Sequence, residues 1–222
     1  MGRLNGLHLR IPQSMWRLKA STTGAARGLA NQKNRRRRAV ARTAKIARMS
    51  ASTRTAGGED TRIRAAEQMD ATRIAEIYNH YVNESIITFE EEPITAPEIA
   101  RRLAEVRYAS LPWLVAEDSN RVTGYAYATP WKSRSAYRFS VESTVYVAPE
   151  WAGRGIGSLL YGQLIPLLRA QHIHTAIGGI ALPNAASVAL HEKFEFRKVA
   201  HFEQVGFKFN RWIDVGYWQR RL

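Results

Sequence analysis

The 222-residue sequence contains no cysteine. This absence excludes disulfide bonds, thiolate metal sites and a cysteine nucleophile. The sequence also lacks any apolar run that approaches the ~18 residues of a membrane-spanning helix. We therefore expect a soluble, cytoplasmic protein without a membrane partner, made of one domain or of one domain and a tail.

Acidic residues are missing from the first quarter of the chain. The whole sequence carries 33 Lys and Arg against 19 Asp and Glu, a net charge of +14, yet residues 1–58 hold 14 of the basic residues and none of the acidic ones. Residues 59–222 therefore hold 19 residues of each sign and are neutral. This balance excludes a globally basic nucleic-acid-binding domain and leaves residues 1–58 as the one candidate contact with nucleic acid.

Residues 1–58 also lack a sustained apolar period, and they include a run of four arginines at residues 35–38. Such a composition cannot bury enough apolar surface to offset chain entropy, so we predict a disordered basic tail followed by a domain at residues 59–222. Three interpretations of the tail remain open. The first is a solvated tail, or an upstream extension from a misassigned start, since Met49 opens a stretch that runs directly into the domain. The second is a targeting segment, and the third is an arm that binds phosphates.

Strand and helix patterns alternate after residue 60. Period-two and β-branched patterns predict strands at residues 61–65, 113–117, 122–128, 140–147, 175–181, 198–205 and 212–220. Period-3.6 patterns and capping residues predict helices at residues 70–83, 95–108, 158–170 and 184–194. This order is typical of an α/β fold with a mixed sheet.

A loop rich in glycine follows the fourth of these strands, with Gly153, Gly155 and Gly157 directly before a helix. Free backbone amides at a helix N-terminus bind a pyrophosphate well, and Arg154 adds a positive charge. A P-loop is excluded because no Lys-Ser or Lys-Thr pair ends the loop. The alternative of a tight turn without a ligand remains open.

A dinucleotide-binding fold does not fit this loop either. The spacing is GxGxG rather than GxGxxG, and no acid for a ribose occurs between Glu150 and Glu192. A pyrophosphate site without a ribose-binding acid suits coenzyme A.

The loop and its flanks resemble the acetyl-CoA signature of the GNAT superfamily of N-acetyltransferases. The resemblance is greatest to phosphinothricin N-acetyltransferases and to the bacterial enzymes that acetylate methionine sulfoximine and methionine sulfone. It covers about residues 62–222 and includes Ile77-Tyr-Asn-His-Tyr81, Pro112-Trp-Leu-Val-Ala-Glu117, Gly124-Tyr-Ala126, Trp131-Lys132, Glu142-Ser-Thr-Val-Tyr-Val147, Leu182-Pro-Asn184, His191-Glu192 and Trp212-Ile-Asp-Val-Gly-Tyr-Trp-Gln219.

This resemblance implies a mostly antiparallel, twisted sheet flanked by helices, acetyl-CoA as cosubstrate, a small amino-acid substrate and a homodimer. By position, it implies that the pantetheine arm pairs with Val145, Tyr146 and Val147. The pyrophosphate would bind Gly153, Arg154, Gly155, Ile156, Gly157 and Ser158, with Asn184 and Lys193 contacting the cofactor from the next helix. Ser135, Ala136 and Tyr137 would touch the substrate, and Glu142 would meet its amine.

Glu142 and His191 are the candidate catalytic residues. An acceptor amine is an ammonium ion at neutral pH, and a carboxylate on the strand before the cofactor loop is well placed to take its proton. The alternative for Glu142 is a solvent-facing strand carboxylate. His191 matches a position where many relatives carry a tyrosine that protonates the leaving thiolate, so it is an acid, a second base or a packing residue.

Direct transfer in a ternary complex agrees with the absence of cysteine, since no acyl-enzyme is required. No metal is expected, because His172 and His174 have no third ligand at a useful spacing. Two other functions remain open: acetylation of a peptide N-terminus or a polyamine, and a nucleic-acid-associated protein that uses the Arg-rich arm.

Three residues differ from the pattern of the family that this sequence resembles. Ala152 replaces a usual Gln or Arg beside the phosphate loop, and Pro166 lies inside the helix that follows and is expected to kink it. Glu195 replaces a turn glycine, so we expect a left-handed residue there at a cost of ~1 kcal/mol.

Overall fold

The computed structural model describes residues 52–54 and 60–222, with side chains from residue 61 onward. The strands are β1 (Ser52–Arg54), β2 (Asp60–Ala65), β3 (Trp113–Asp118), β4 (Arg121–Pro130), β5 (Ser140–Val147), β6 (Thr175–Leu182), β7 (Arg197–Lys208) and β8 (Arg211–Arg221). The helices are α1 (Ala71–Glu84), α2 (Ala96–Tyr108), α3 (Ile156–Ala170) and α4 (Ala185–Lys193). Every predicted strand and helix is present.

The eight strands form one sheet in the order β1-β2-β3-β4-β5-β6-β8-β7. All neighbours pair antiparallel except β5 and β6, which are parallel. The predicted mixed, mostly antiparallel α/β fold is confirmed.

The sheet opens between β5 and β6. These strands pair at only three positions, from Ser140 opposite Thr175 to Glu142 opposite Ile177. Beyond that point β5 pairs with β4 alone and β6 with β8 alone. We call this opening the split and its closed end, beside Glu142 and Ile177, the apex.

Helices cover the two faces of the sheet. The apolar stripe of α3, with Leu160, Leu164 and Leu168 fully buried, packs on one face. Ile74 and Ile77 of α1 pack on the other face together with α2. Because successive strand residues point to opposite faces, each strand residue can be assigned to the α3 face or the α1 face.

Two helices begin at the capping residue that the sequence predicts, and the starts of the other two differ from the prediction. Thr95 caps α2 by accepting from Glu98 N, and Asn184 caps α4 by accepting from Ser187 N. Asp70 makes no such cap; its carboxylate accepts two hydrogen bonds from Arg64 instead. The glycine-loop helix begins at Ile156, two residues earlier than predicted, because the Ile156 side chain is buried in the core.

Two further expectations concern backbone conformation. Glu195 has φ 60°, so the predicted left-handed conformation is confirmed. The helix α3 continues through Pro166 to Ala170. Proline has no N–H, so Pro166 cannot donate to the carbonyl of Gly162, one turn earlier. Both residues are exposed to solvent.

Two strands differ from the prediction. The backbone of β1 pairs with β2, although Ser52–Arg54 fall in the segment expected to be disordered. Main-chain pairing at a sheet edge does not need apolar side chains. Strand β7 is longer than predicted and carries a register shift between Phe202 and Gly206, where Gln204 has φ 50°. The interpretations of residues 1–51 lie outside the described residues.

Among residues 60–222, no helix is long and apolar enough to cross a membrane. In the same part of the chain, no three His, Asp or Glu side chains come together in a way that could hold a metal ion.

Candidate active site

A cavity of about 600 Å³ lies on the α1 face of the sheet, beside the split. Its lining comes from the loop between α1 and α2 and from five strands: Ile87, Thr88, Phe89, Tyr127, Glu142, Thr144, Tyr146, Gly179, Ala181, Phe202, Val205, Val215 and Tyr217. The walls are apolar or aromatic, with a few polar groups, which is typical of a small-molecule site.

Glu142 is the single acid among the lining residues. Its side chain is half-buried, and a Cβ on Gly179 would lie 3.3 Å from Glu142 Oε1. Its carboxylate has no hydrogen-bond donor within the described residues. Burial raises the pKa of Glu142 above its ordinary value, and the charge of Lys132 offsets part of that rise. A desolvated carboxylate of this kind is a stronger base than an exposed one.

Aromatic rings form a rigid floor under the cavity. The Tyr127 ring stacks on Trp113 with centroids 4.1 Å apart and an interplanar angle of 13°. The Tyr146 ring meets the edge of Tyr78 at 5.2 Å. Because each of these rings packs against another aromatic ring, its position is restrained.

The C-terminal hairpin β7–β8 holds the loop that closes the cavity. Lys208 Nζ, although buried, donates to the Thr88 carbonyl at 2.9 Å. Thr88 Oγ1 also lies 2.6 Å from the Tyr78 hydroxyl. A Cβ on Gly206 would lie 2.4 Å from the Phe89 ring, so glycine is needed for the ring to pack there.

The glycine loop forms a turn at the end of β5, which we call the cradle. Gly153 and Gly155 have φ 77° and 81°, a conformation that favours glycine. The amides of the first α3 turn have no partner inside the helix and point out of its N-terminus. Lys193 Nζ donates to Ser158 Oγ at 3.0 Å, which brings a cation from α4 to this terminus.

Glycine at position 157 allows α3 and α4 to approach closely. A Cβ there would lie 3.1 Å from Leu190 Cδ2. Arg154 lies over the Trp151 ring at 4.8 Å, next to the cradle. Asn184 uses its side-chain oxygen as the α4 cap, 3.1 Å from Ser187 N. Lys193 therefore lies against the glycine loop, and Asn184 begins the helix that ends at Lys193.

Val145, Tyr146 and Val147 lie on β5 beyond its last pair with β6. One edge of their backbone pairs with β4, and the other faces the split. An extended arm fits such an edge because strand peptide groups alternate in direction and those facing the split have no β6 partner. The Val147 carbonyl is bound by the Tyr81 hydroxyl at 2.6 Å.

Other predicted residues lie away from the cavity. Ser135, Ala136 and Tyr137 form an exposed 3-10 turn that does not line it. His191 is 3 % exposed and packs against Gly178, on the α3 face. Gly179, beside Glu142, faces the opposite way, so the sheet separates His191 from Glu142.

The sequence interpretation missed most of the cavity walls. The sequence did not distinguish Tyr127, Thr144 and Tyr217 from other strand residues, although their side chains line the same cavity as Glu142. Period-two alternation along β5 marks Thr144 and Tyr146 once Glu142 is chosen. No local pattern links Phe202 or Val205 to this site.

The match to known proteins agrees with this geometry. The family model described as an acetyltransferase (GNAT) domain matches residues 63–216. The chain belongs to the GNAT family. The resemblance seen in the sequence is thereby confirmed.

Several relatives of this GNAT protein have named activities. It is 41% identical to a phosphinothricin N-acetyltransferase of Streptomyces coelicolor over 180 residues, 75% of this chain and 99% of the relative. It is 36% identical to an L-methionine sulfoximine/L-methionine sulfone acetyltransferase of Salmonella typhimurium over 160 residues, 72% of this chain and 94% of the relative.

A solved structure extends the comparison to the cofactor. The phosphinothricin acetyltransferase of Sinorhizobium meliloti, in complex with acetyl-CoA, superposes with a TM-score of 0.71 and 36% identity, covering 73% of this chain and 88% of that one. This GNAT protein is an acetyl-CoA-dependent N-acetyltransferase.

Proposed function

We propose that the enzyme transfers the acetyl group of acetyl-CoA directly to the α-amine of a small amino acid or analogue. The class is that of phosphinothricin, methionine sulfoximine and methionine sulfone, which are substrates in the names of its relatives. The observation that carries the proposal is the position of Glu142, desolvated in a cavity beside the split.

Glu142 is the general base of this proposal. The acceptor enters as an ammonium ion, and the Glu142 carboxylate takes one proton from it, directly or through water. The free amine then attacks the thioester carbonyl, and a backbone amide of Val145, Tyr146 or Val147 donates to the oxyanion. The carbon–sulfur bond breaks as the nitrogen loses its second proton, which passes through water to the leaving thiolate.

The glycine loop binds the pyrophosphate of acetyl-CoA. The backbone of residues 153–158, including Ile156, supplies amides, and the cations Arg154 and Lys193 complement its charge. Asn184 completes the site from the start of α4. The absence of a polar side chain at Ala152 is tolerated because the amides supply most of the contacts.

The segment before β5 contacts the part of the acceptor that projects from the cavity. Trp131 packs on the cavity residue Tyr217 with centroids 5.5 Å apart, which brings this segment to the cavity wall. Lys132 lies over Trp131 at 4.7 Å and is the cation that acts on Glu142. Ser135, Ala136 and Tyr137 follow it on an exposed turn outside the cavity walls, and in this proposal they contact an acceptor that extends out of the cavity.

The proposal is tested by thiol release from acetyl-CoA with the full chain. The panel holds phosphinothricin, methionine sulfoximine, methionine sulfone, a short peptide with a free N-terminus and a polyamine. We expect turnover with one or more of the first three. Turnover with the peptide or polyamine alone would overturn the acceptor class.

The base is tested in the same assay. Glu142→Gln is expected to lower kcat by about 10²- to 10⁴-fold, the usual effect of losing a general base. Acetyl-CoA binding, measured by calorimetry, should stay unchanged. An unchanged kcat at saturating substrate would show that Glu142 is not the base.

We also propose a homodimer, since the β7–β8 hairpin exposes large apolar side chains. Phe207, Phe209 and Trp212 are 49%, 53% and 62% exposed, and a patch of this kind marks an association surface. Sedimentation equilibrium should give twice the chain mass. Trp212→Lys should shift it toward the monomer, and a monomeric parent protein would refute the proposal.

The N-terminal segment is proposed to be dispensable for acetyl transfer. Removal of residues 1–48 keeps β1 and should leave kcat unchanged. If the segment instead binds nucleic acid, the full chain will bind a DNA duplex with a strong salt dependence that the shortened chain lacks.

A further inference from the structure

Three buried polar side chains meet at the apex of the split, on the face opposite Glu142. They are Ser143 of β5, Tyr161 of α3 and His191 of α4, with 4%, 0% and 3% of their surfaces exposed. None of them lines the cavity. Buried polar groups are costly unless they are bonded, so a cluster of three has to be internally satisfied.

The three side chains form one hydrogen-bonded chain. The Tyr161 hydroxyl lies 3.2 Å from Ser143 Oγ and 3.1 Å from His191 Nε2. The other ring nitrogen, His191 Nδ1, lies 2.7 Å from the carbonyl oxygen of Ser187. Ser143 Oγ also lies 3.4 Å from the Ile177 carbonyl, on the far side of the apex.

The position of these groups matches the end of the strand ladder. Ser143 directly follows Glu142, the last β5 residue that pairs with β6. On β6, Gly178 directly follows the last paired residue, Ile177. The His191 ring occupies the space where a Gly178 side chain would be, since a Cβ there would lie 2.3 Å from Nε2. The chain therefore links β5 to β6 where their main-chain pairing stops.

The direction of the hydrogen bonds follows from the His191 contacts. A carbonyl oxygen accepts only, so Nδ1 carries a hydrogen and donates to Ser187. Burial lowers the pKa of His191, which favours the neutral ring at pH 7. In the neutral ring Nε2 is an acceptor, so the Tyr161 hydroxyl hydrogen lies between two acceptors, His191 Nε2 and Ser143 Oγ, and Ser143 donates its own hydrogen to the Ile177 carbonyl.

We propose that Tyr161 is a positioning residue, which His191 orients and which holds Ser143 so that the apex keeps its width. The inference rests on the proposed function in one respect, that acetyl-CoA occupies the split. Glu142 is bonded to Ser143 along the chain, so the same contact fixes the base on the other face. His191 acts through Tyr161 and transfers no proton itself.

The test compares isosteric variants of the full chain. Tyr161→Phe and Ser143→Ala each remove one hydroxyl, and His191→Gln keeps an acceptor near the Nε2 position while His191→Ala removes it. The control is Thr123→Val, which removes a buried hydroxyl that donates to the Ala116 carbonyl at 3.2 Å, outside the chain described above. The measurements are the acetyl-CoA Kd by calorimetry, kcat with its pH profile, and Tm.

We expect Tyr161→Phe and Ser143→Ala each to raise the acetyl-CoA Kd by about three- to tenfold, the effect of one buried hydrogen bond. The double variant should be no worse than either single one, because both remove the same contact. His191→Gln should restore most of the affinity and turnover that His191→Ala loses. Thr123→Val should lower Tm and leave Kd unchanged.

Two results would overturn the proposal. One is an unchanged Kd and kcat in folded Tyr161→Phe, which would make the chain a packing feature only. The other is that His191→Gln loses as much turnover as His191→Ala and loses a limb of the pH profile, which would make His191 the acid or base itself. The Kd needs no acceptor, so failure of every amine in the panel would refute the proposed substrate and leave this test intact.

Discussion

Glu142 is a half-buried acid whose carboxylate accepts no hydrogen bond from the described residues, and its desolvation affects stability as well as catalysis. Its pKa in the folded protein is raised by burial above the unfolded value of about 4.5. Between those two values the folded state binds more protons than the unfolded state. Stability therefore falls as the pH rises through this window, and the full penalty remains above it.

We predict that Glu142→Gln is more stable than the parent protein at pH 7.5, although it loses turnover. The neutral amide removes the penalty of an ionised, desolvated group. The gain in Tm should disappear below about pH 4, where the carboxyl is protonated in both states.

The control for this prediction is Glu203→Gln, which removes an exposed carboxylate from β7. It should change Tm by little at either pH. A Glu142→Gln protein that is less stable at pH 7.5, or equally more stable at pH 4, would contradict the account of a desolvated charge.

At the residue scale, the sequence identified Glu142 as a candidate because of its strand and the loop that follows. It left the role of His191 open. The structure places His191 against Gly178, on the face of the sheet opposite Glu142. The face that Gly178 and Glu142 each take depends on the strand register, and one step in register exchanges the two faces.

At the element scale, two glycines of α3 and its N-cap lie in open space but differ in backbone conformation: Gly155 is the N-cap and Gly162 lies inside the helix. Gly155 has φ 81°, and Gly162 lies within the helix; a Cβ at either position meets nothing within 4 Å. Sterics therefore do not distinguish them, and only backbone conformation does.

We predict opposite effects of alanine at these two positions. Gly162→Ala should stabilise the protein by about 0.5–1 kcal/mol, because alanine loses less entropy than glycine in a helix. Gly155→Ala should destabilise it by about 1–2 kcal/mol, since a side chain disfavours the left-handed region.

Denaturant unfolding of both variants checks this pair. Gly155→Ala should also weaken acetyl-CoA binding, because the cradle amides would turn, while Gly162→Ala should bind it normally. Two changes of the same sign would show that backbone conformation does not decide the outcome.

At the element scale, the long periodic helices and strands were predictable because their apolar spacing is a local property. The start of α3 was not, because the burial of Ile156 extends the helix into the glycine loop. The extra length of β7 was not either, since it depends on pairing with β8 along its whole length.

In the whole molecule, the cavity depends on contact between two segments far apart in sequence. Phe89 lies in the loop after α1, and Gly206 lies near the end of β7. The Phe89 ring packs where a Gly206 side chain would be, and Lys208 binds the same loop. The C-terminal hairpin thus shapes one wall of the cavity.

We predict that Gly206→Ala displaces the Phe89 ring and raises the KM for the acceptor. The added methyl group should also cost about 1–3 kcal/mol of stability, as overpacking does. Acetyl-CoA affinity should not change, because the glycine loop lies elsewhere.

Steady-state kinetics with either substrate varied, together with calorimetry, separate these effects. Gly162→Ala is the matched control and should leave both kinetic constants unchanged. An unchanged acceptor KM in folded Gly206→Ala would show that the hairpin does not shape the acceptor site.

The sequence by itself determined the family, the α/β class and the glycine loop, and it singled out Glu142 on β5 as the candidate base, because each depends on neighbouring residues or on a short period. Only the tertiary structure decided which face each strand residue takes, where β5 and β6 separate, and which distant residues close the cavity. Lys208 and Thr88 are 120 residues apart in sequence. Their contact depends on strand order and register across the sheet, and no local pattern encodes these.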